Sequence, residues 1–169
     1  MKRKSNIMRL VTAAMIAALY VVLSLLSNAF GLASGAIQLR ISEALTVLPA
    51  FTATAIPGLT IGCFLFNLLS GAALPDIIFG SLATLLGAIG AWSLSKLTKK
   101  AKWAACLIPV PTILSNAIII PWVLKIAYHL SDGYWYLFLT VGIGELLSCG
   151  ALGMLVYFTL KPLQQHLFP

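Results

Sequence analysis

Four apolar runs set the architecture of this chain before any other feature is weighed. Residues 8–27, 77–94, 103–127 and 137–160 each approach or exceed the roughly 20 apolar residues that carry a helix across a bilayer. Composition agrees: 60% of the 169 residues are hydrophobic and 9% charged, whereas soluble domains carry about 25% charged residues. The sequence therefore reads as an all-α integral membrane protein, with residues 1–169 forming one transmembrane domain.

Two features decide how many times it crosses. Lys2, Arg3, Lys4 and Arg9 precede an apolar run that ends at Ser27-Asn28-Ala29, a pattern that imitates a signal peptide. The run from Leu10 to Leu26 is longer than the usual ~7–15-residue core of such peptides, so it reads as a retained first span. Residues 44–69 are long for one helix and short for two, and Pro49 and the Pro57-Gly58 pair argue for an interruption. Lys96, Lys99, Lys100 and Lys102 form a second basic cluster. The positive-inside rule puts both clusters in the cytoplasm, so an even number of crossings separates them. Residues 44–69 are thus expected to cross twice, as short, tilted or partly re-entrant helices. The result is six transmembrane helices with both termini cytoplasmic. Loops 28–42, 70–75 and 129–133 then lie outside, with Tyr134, Trp135 and Tyr136 at the outer interface. Orientation in the lipid membrane, not nucleic acid, accounts for the net charge of +7.

Only four carboxylates are present. Glu43, Asp76 and Glu145 adjoin or interrupt apolar runs, and Asp132 sits in a short polar break. A carboxylate near the bilayer centre costs roughly 2.5–3.5 kcal/mol on insertion scales, so a small membrane protein that keeps three is using them. Arg40 and Glu43, three residues apart, share a face if the second helix begins that early; a local ion pair is the structural alternative. Asn67 is expected near the outer end of the third helix. Asp76 begins the fourth, where it would also serve as an N-cap. Asn116 falls about 20 Å above Trp103, and Glu145 about 13 Å below Tyr136, near the midplane. Gly142, Glu145 and Ser148 or Cys149 share one helical face, whose small residues leave room for a ligand or another helix. Asn67 and Asn116 would equally serve as interhelical hydrogen bonds. Lys125 is expected to snorkel to the interface. The inner half offers only hydroxyls such as Ser93 and Thr159. This segregation points to a polar pocket open to the outside, fit for capturing an external solute rather than for conducting ions.

Much other chemistry is missing. Cys63, Cys106 and Cys149 are isolated, and His129 and His166 stand at span ends, so neither a disulfide framework nor a metal site is expected. No P-loop, HExxH or G-x-S-x-G motif occurs. The expectation is a protein without enzymatic activity or cofactor. No inverted repeat relates the halves, which weakens the case for a self-sufficient transporter. Ala13 with Ala17 and Ala14 with Ala18 make two overlapping small-xxx-small pairs, which let helices approach closely. The same spacing at Gly58 and Gly62, and at Ala83 and Gly87, keeps internal packing open as the alternative.

Three blocks resemble a known family. Ile37-Gln38-Leu39-Arg40-Ile41-Ser42-Glu43-Ala44-Leu45, followed by Leu48-Pro49, is the first. Ala55-Ile56-Pro57-Gly58-Leu59-Thr60-Ile61-Gly62-Cys63, with Asn67 following, is the second, and Asp76-Ile77-Ile78-Phe79-Gly80-Ser81-Leu82-Ala83-Thr84-Leu85 the third. Together they resemble QueT proteins, densely over residues 37–86 and more thinly to about residue 161. QueT proteins are S components, the substrate-binding subunits of energy-coupling factor (ECF) transporters, a type of ABC importer. The resemblance implies a six-helix S-component bundle in the plasma membrane. It implies uptake of a queuosine precursor, queuine or a related 7-deazaguanine. It also implies a transmembrane coupling subunit and two cytoplasmic ATPase subunits as partners, docked through Ala13, Ala14, Ala17 and Ala18. An S component for another small vitamin-like metabolite is the alternative, with a membrane enzyme or scaffold behind it.

The substrate makes chemical sense. A deazaguanine presents adjacent N–H donors that one carboxylate accepts as a bidentate, charge-assisted pair. An aminomethyl precursor adds a cation for a second carboxylate. Asn67 and Asn116 suit the carbonyl and ring nitrogen. Tyr134 or Trp135 would stack on the base, a contact worth about 1–3 kcal/mol. The expected arrangement puts Glu145 or Glu43 on the guanine edge and Asp76 near an outer lid, with Arg40 ordering the first loop as a gate.

Overall fold

The computed structural model describes residues 2–32, 38–97 and 102–164. Ile37, Lys99, Lys100 and His166 lie outside the described residues. Among the described residues all regular structure is helical. The α-helices are α1 (Lys2–Ala29), α2 (Ala55–Leu69), α3 (Leu74–Leu97), α4 (Val110–Ala127), α5 (Tyr134–Glu145) and α6 (Gly153–Leu160). A 3-10 helix, Ile41–Ala50, precedes α2, and a π-helical stretch, Leu146–Leu152, joins α5 to α6.

Four stretches are long and apolar enough to cross a membrane: Asn6–Ala29, Leu74–Leu97, Ala104–Ala127 and Tyr134–Leu163. They coincide with the four apolar runs, as expected of an all-α membrane protein. The two remaining apolar helices are short. The 15 residues of α2 cover about 22 Å at 1.5 Å per residue, and the ten of the 3-10 helix roughly 20 Å at 2.0 Å. Both fall below the ~30 Å hydrocarbon core.

The break between these two helices lies at residues 51–54, not at Pro57-Gly58 as the sequence pattern implied. Pro57 falls in the first turn of α2, where a missing N–H breaks no helical bond. Gly58 is a packing residue: a Cβ there would stand 2.7 Å from the Ala13 carbonyl oxygen. Gly62 meets the Ala17 carbonyl in the same way, at 3.0 Å. Of the small residues on α1, half-buried Ala13 and buried Ala17 thus serve the α1–α2 contact, while Ala14 and Ala18 are exposed.

The 3-10 helix is the centre of the molecule. Every residue from Ser42 to Pro49 is buried, and it packs against α1, α2, α3, the π stretch and α6. A polar stripe on α1 fastens it. The Ser27 hydroxyl accepts from the Ile41 N–H at 2.9 Å, the Ser24 hydroxyl donates to the Ser42 hydroxyl at 2.7 Å, and the Tyr20 phenol donates to Glu43 Oε1. The chain reaches this helix through an extended segment at residues 38–40. Its Gln38 carbonyl oxygen comes so close to Gly144 that a Cβ there would be 2.2 Å away. Gly144 lies ten residues into α5, about 15 Å along it. Residues 38–40 therefore dip into the bundle instead of capping it. Extended backbone at such depth persists because protein surrounds it.

Candidate binding site

Two adjacent cavities occupy the end of the bundle where α1, α2 and α4 finish and α3 and α5 begin. The larger, about 590 Å³, is lined by Phe66, Asn67, Asp76, Tyr128, Asp132 and Tyr136, among others. That volume suits a small-molecule ligand. The smaller, about 10 Å³, is bounded by Glu43, Gly80, Thr84, Asn116 and Glu145. Gln38, Arg40, Ile120 and Val141 line both. The small pocket holds roughly one water-sized group.

Glu43 and Glu145 face this pocket from the central 3-10 helix and from the last turn of α5. They are 1% and 8% exposed, and the Oε2 atom of each has no hydrogen-bond partner in the protein. The Asn116 side chain lies beside both carboxyl groups. Glu43 is the better anchored: Tyr20 holds Oε1, and Thr46 Oγ1 donates to the Glu43 carbonyl at 2.6 Å. One turn further in, Thr112 Oγ1 and Ser148 Oγ are also buried without a partner. All the unpartnered buried side-chain atoms among the described residues thus belong to one polar column. Each such group costs about 1–3 kcal/mol. Four of them approach the ~5–15 kcal/mol net stability of a typical folded domain, so stability does not explain them. Of the four residues, Glu43 and Glu145 line the small pocket, where a bound donor can reach them.

Polar groups also gather at the rim of the larger cavity. Asn67 donates to the Asp76 carbonyl oxygen at 3.2 Å, and Tyr128 donates to Asp76 Oδ2 at 2.9 Å. The Tyr128 phenol also accepts from the Ala73 N–H at 3.4 Å, which ties the α2–α3 turn to the end of α4. Partial burial, reinforced by the Asp76 carboxylate, pushes the Tyr128 phenol above its ordinary pKa, so it remains a donor throughout the neutral range. Gly80 keeps this corner open, since a Cβ would sit 3.0 Å from Asn67 Nδ2 and 3.1 Å from Asp76 Oδ1. Arg40 is half-buried where the cavities meet, with its guanidinium 5.9 Å from the centre of the Phe66 ring.

The structure brings Arg40, Glu43, Asn116 and Glu145 together in the deep pocket and Asn67 and Asp76 at the rim. Tyr134 and Trp135 are elsewhere. Tyr134 donates to the Ile118 carbonyl at 3.0 Å and packs on Trp122, and Trp135 is 73% exposed. Both belong to an aromatic patch on the outside of α4 and α5. The rings that line the larger cavity are Phe66, Tyr128 and Tyr136. Sequence reasoning also passed over Tyr20, Gln38 and Thr84, and gave Asp132, noted among the four carboxylates, no place in the site. Tyr20 had a signal: with Ser24 and Ser27 it makes a polar stripe at helical spacing in an otherwise apolar run. Gln38 and Thr84 had none.

The sequence model of one family, described as QueT transporter, matches residues 10–162. The chain is also similar to the queuosine precursor transporter QueT of Lactococcus lactis subsp. cremoris, at 39% identity over 84 residues. That alignment covers 50% of this chain and 49% of the relative, so the chain spans about half the length of the curated protein it matches. No solved structure matches. Since the family match takes in nearly the whole sequence, the chain belongs to the QueT transporter family.

Proposed function

We propose that this chain is the substrate-binding S subunit of an ECF-type importer and captures a queuosine precursor, a 7-deazaguanine, from outside the cell. The carrying observation is the pair of buried carboxylates, Glu43 and Glu145, whose unpartnered oxygens belong to residues lining a small pocket next to a cavity large enough for a bicyclic base. Their oxygens accept N–H donors of the solute, and Asn116 orients the pair. Asn67 and Asp76 serve a second polar edge at the rim. Phe66 or Tyr136, whose rings line the larger cavity, stacks on the base in place of Tyr134 or Trp135. Family membership and the name carried by the relative support the substrate class.

The proposal includes six crossings of the plasma membrane with both termini cytoplasmic. The segment from residue 38 to Ala50 crosses as extended chain plus 3-10 helix, and α2 crosses as a short helix. A transmembrane coupling subunit and two cytoplasmic ATPases supply the energy. Ala14 and Ala18, exposed on α1, are available to the coupling subunit, whereas Ala13 and Ala17 are engaged by α2. The test is reconstitution in vesicles with a coupling subunit and ATPases. ATP-dependent accumulation of a deazaguanine is expected. Absence of uptake by a folded, assembled complex would sink the reading.

A further inference from the structure

A third recess lies on the outside of the bundle, in the seam between α3 and α4. It holds about 350 Å³ and shares no lining residue with either cavity of the candidate site. Buried Val123 lines it together with four exposed side chains, Phe79 of α3 and Ile118, Trp122 and Ile126 of α4. All its lining residues are aliphatic or aromatic, and both helices lie in stretches long and apolar enough to span a bilayer. In a membrane the recess therefore opens onto lipid. From Ile118 to Ile126 it follows α4 for about 12 Å.

Charge and aromatic placement say what fills it. Lys125 stands in the last turn of α4, three residues beyond Trp122 and next to Ile126, at the edge of the same helical face. It is half-buried and lines neither cavity. All four carboxylates line those cavities and none lines the recess. On the α5 side, Trp122 packs on Tyr134 at 5.3 Å, and Tyr134 on Trp135 and Phe138 at 5.4 and 6.5 Å. Amphipathic rings of this kind settle at headgroup level. Lys125 then stands among lipid phosphates, while Ile118 and Phe79 reach toward the acyl region. A flexible acyl chain fills an irregular dry recess, and a cation at its mouth attracts an anionic headgroup. A zwitterionic headgroup carries its own cation, so Lys125 favours a lipid of net negative charge.

We propose that the α3–α4 recess is a binding site for an anionic glycerophospholipid, with an acyl chain in the recess and the phosphate on Lys125. The recess backs onto the larger cavity: Pro75 and Val123 line the one, and their chain neighbours Asp76 and Leu124 line the other. A lipid held there braces the cavity wall from outside.

The test keeps Trp122 as the single tryptophan of the full chain, through Trp92→Phe, Trp103→Phe and Trp135→Phe. Its fluorescence is quenched in mixed detergent micelles by brominated phosphatidylglycerol or by phosphatidylcholine with the same brominated chains. Phosphatidylglycerol is expected to reach half-quenching at about a fivefold lower mole fraction. Lys125→Gln should abolish that difference, and Lys96→Gln, at the other end of the bundle, should leave it. Equal quenching by the two lipids would overturn the proposal, since lipid at the recess would then be solvent only. Quenching by neither, with a dimer mass in solution, would give this face to a second copy and also overturn it. Because the triple replacement can disturb folding, native mass spectrometry is run on the chain with its tryptophans intact. Phosphatidylglycerol adducts should outlast phosphatidylcholine adducts, and Lys125→Gln should remove one of them. Retention unchanged by Lys125→Gln would overturn the proposal.

Discussion

Glu43 and Glu145 sit in the same pocket but are supported differently, and the difference predicts different behaviour on substitution. Glu43 accepts from Tyr20 and is held by its own backbone through Thr46. Tyr20→Phe would leave a second Glu43 oxygen without a donor in a fully buried site. A loss of about 1–3 kcal/mol in stability is expected, read as a lower unfolding midpoint of the detergent-solubilised protein. An unchanged midpoint would show that the phenol is not structural. Glu145 receives less support from the protein, so Glu145→Gln should keep the fold and weaken the ligand. A hydrogen bond to a charged group is worth about 1.5–3 kcal/mol, or roughly ten- to a hundredfold in Kd. A normal Kd together with a lowered unfolding midpoint would instead mark Glu145 as a structural acid. These carboxylates were legible in the sequence because a charge inside an apolar run is conspicuous. Tyr128 and Gln38 were not, because nothing local distinguishes a cavity-lining tyrosine or loop glutamine from any other.

At the scale of elements, the deep carboxylates lie in or next to departures from α-helical geometry. Glu43 lies on a ten-residue 3-10 helix, a form seldom sustained beyond 3–4 residues, and Glu145 is the last residue before seven π-helical residues. Neither departure was readable beforehand. A segment buried on all sides has no amphipathic period to read, and its geometry is set by neighbours that are distant in sequence. The four long spans were readable because apolar length alone demands a helix in lipid. Glycine placement makes the arrangement testable. At Gly144 a Cβ would lie 2.2 Å from the Gln38 carbonyl oxygen, while at Gly142 the nearest atom is the Ala117 Cβ at 3.8 Å. Gly144→Ala must therefore displace residues 38–40, and with them Arg40, at a cost of about 1–3 kcal/mol for overpacking. Gly142→Ala should be tolerated, and helix propensity favours it by about 1 kcal/mol. The check is ligand affinity and thermal stability of the two variants side by side. Equal behaviour would mean that the close approach of residues 38–40 to α5 is not required.

Across the whole molecule, the cavities and the lysines that end α3 and α6 occupy opposite ends. The cavities open among the ends of α1, α2 and α4, while Lys96 lies at the far end of α3, with its ammonium 3.3 Å from the centre of the Trp92 ring. The parity argument was available from sequence because it needs only the positions of basic clusters and the number of segments between them. What it could not reveal is that one of those segments enters the bundle as extended chain, since Gly144 leaves room for the Gln38 carbonyl and the α1 stripe fastens the residues that follow, Ile41, Ser42 and Glu43. Orientation is decided by labelling. Cys63 and Cys149 are buried, so replacing Cys106 by serine leaves no reactive thiol among the described residues. In that background Asp132→Cys reports the cavity end and Lys96→Cys the opposite end. A membrane-impermeant maleimide applied to intact cells should modify position 132 at once and position 96 only after permeabilisation. The reverse pattern would invert the protein and place its cavity toward the cytoplasm, which is incompatible with capture of an external solute. Labelling of both positions from outside would require an even number of crossings between them and would remove α4 as a single span.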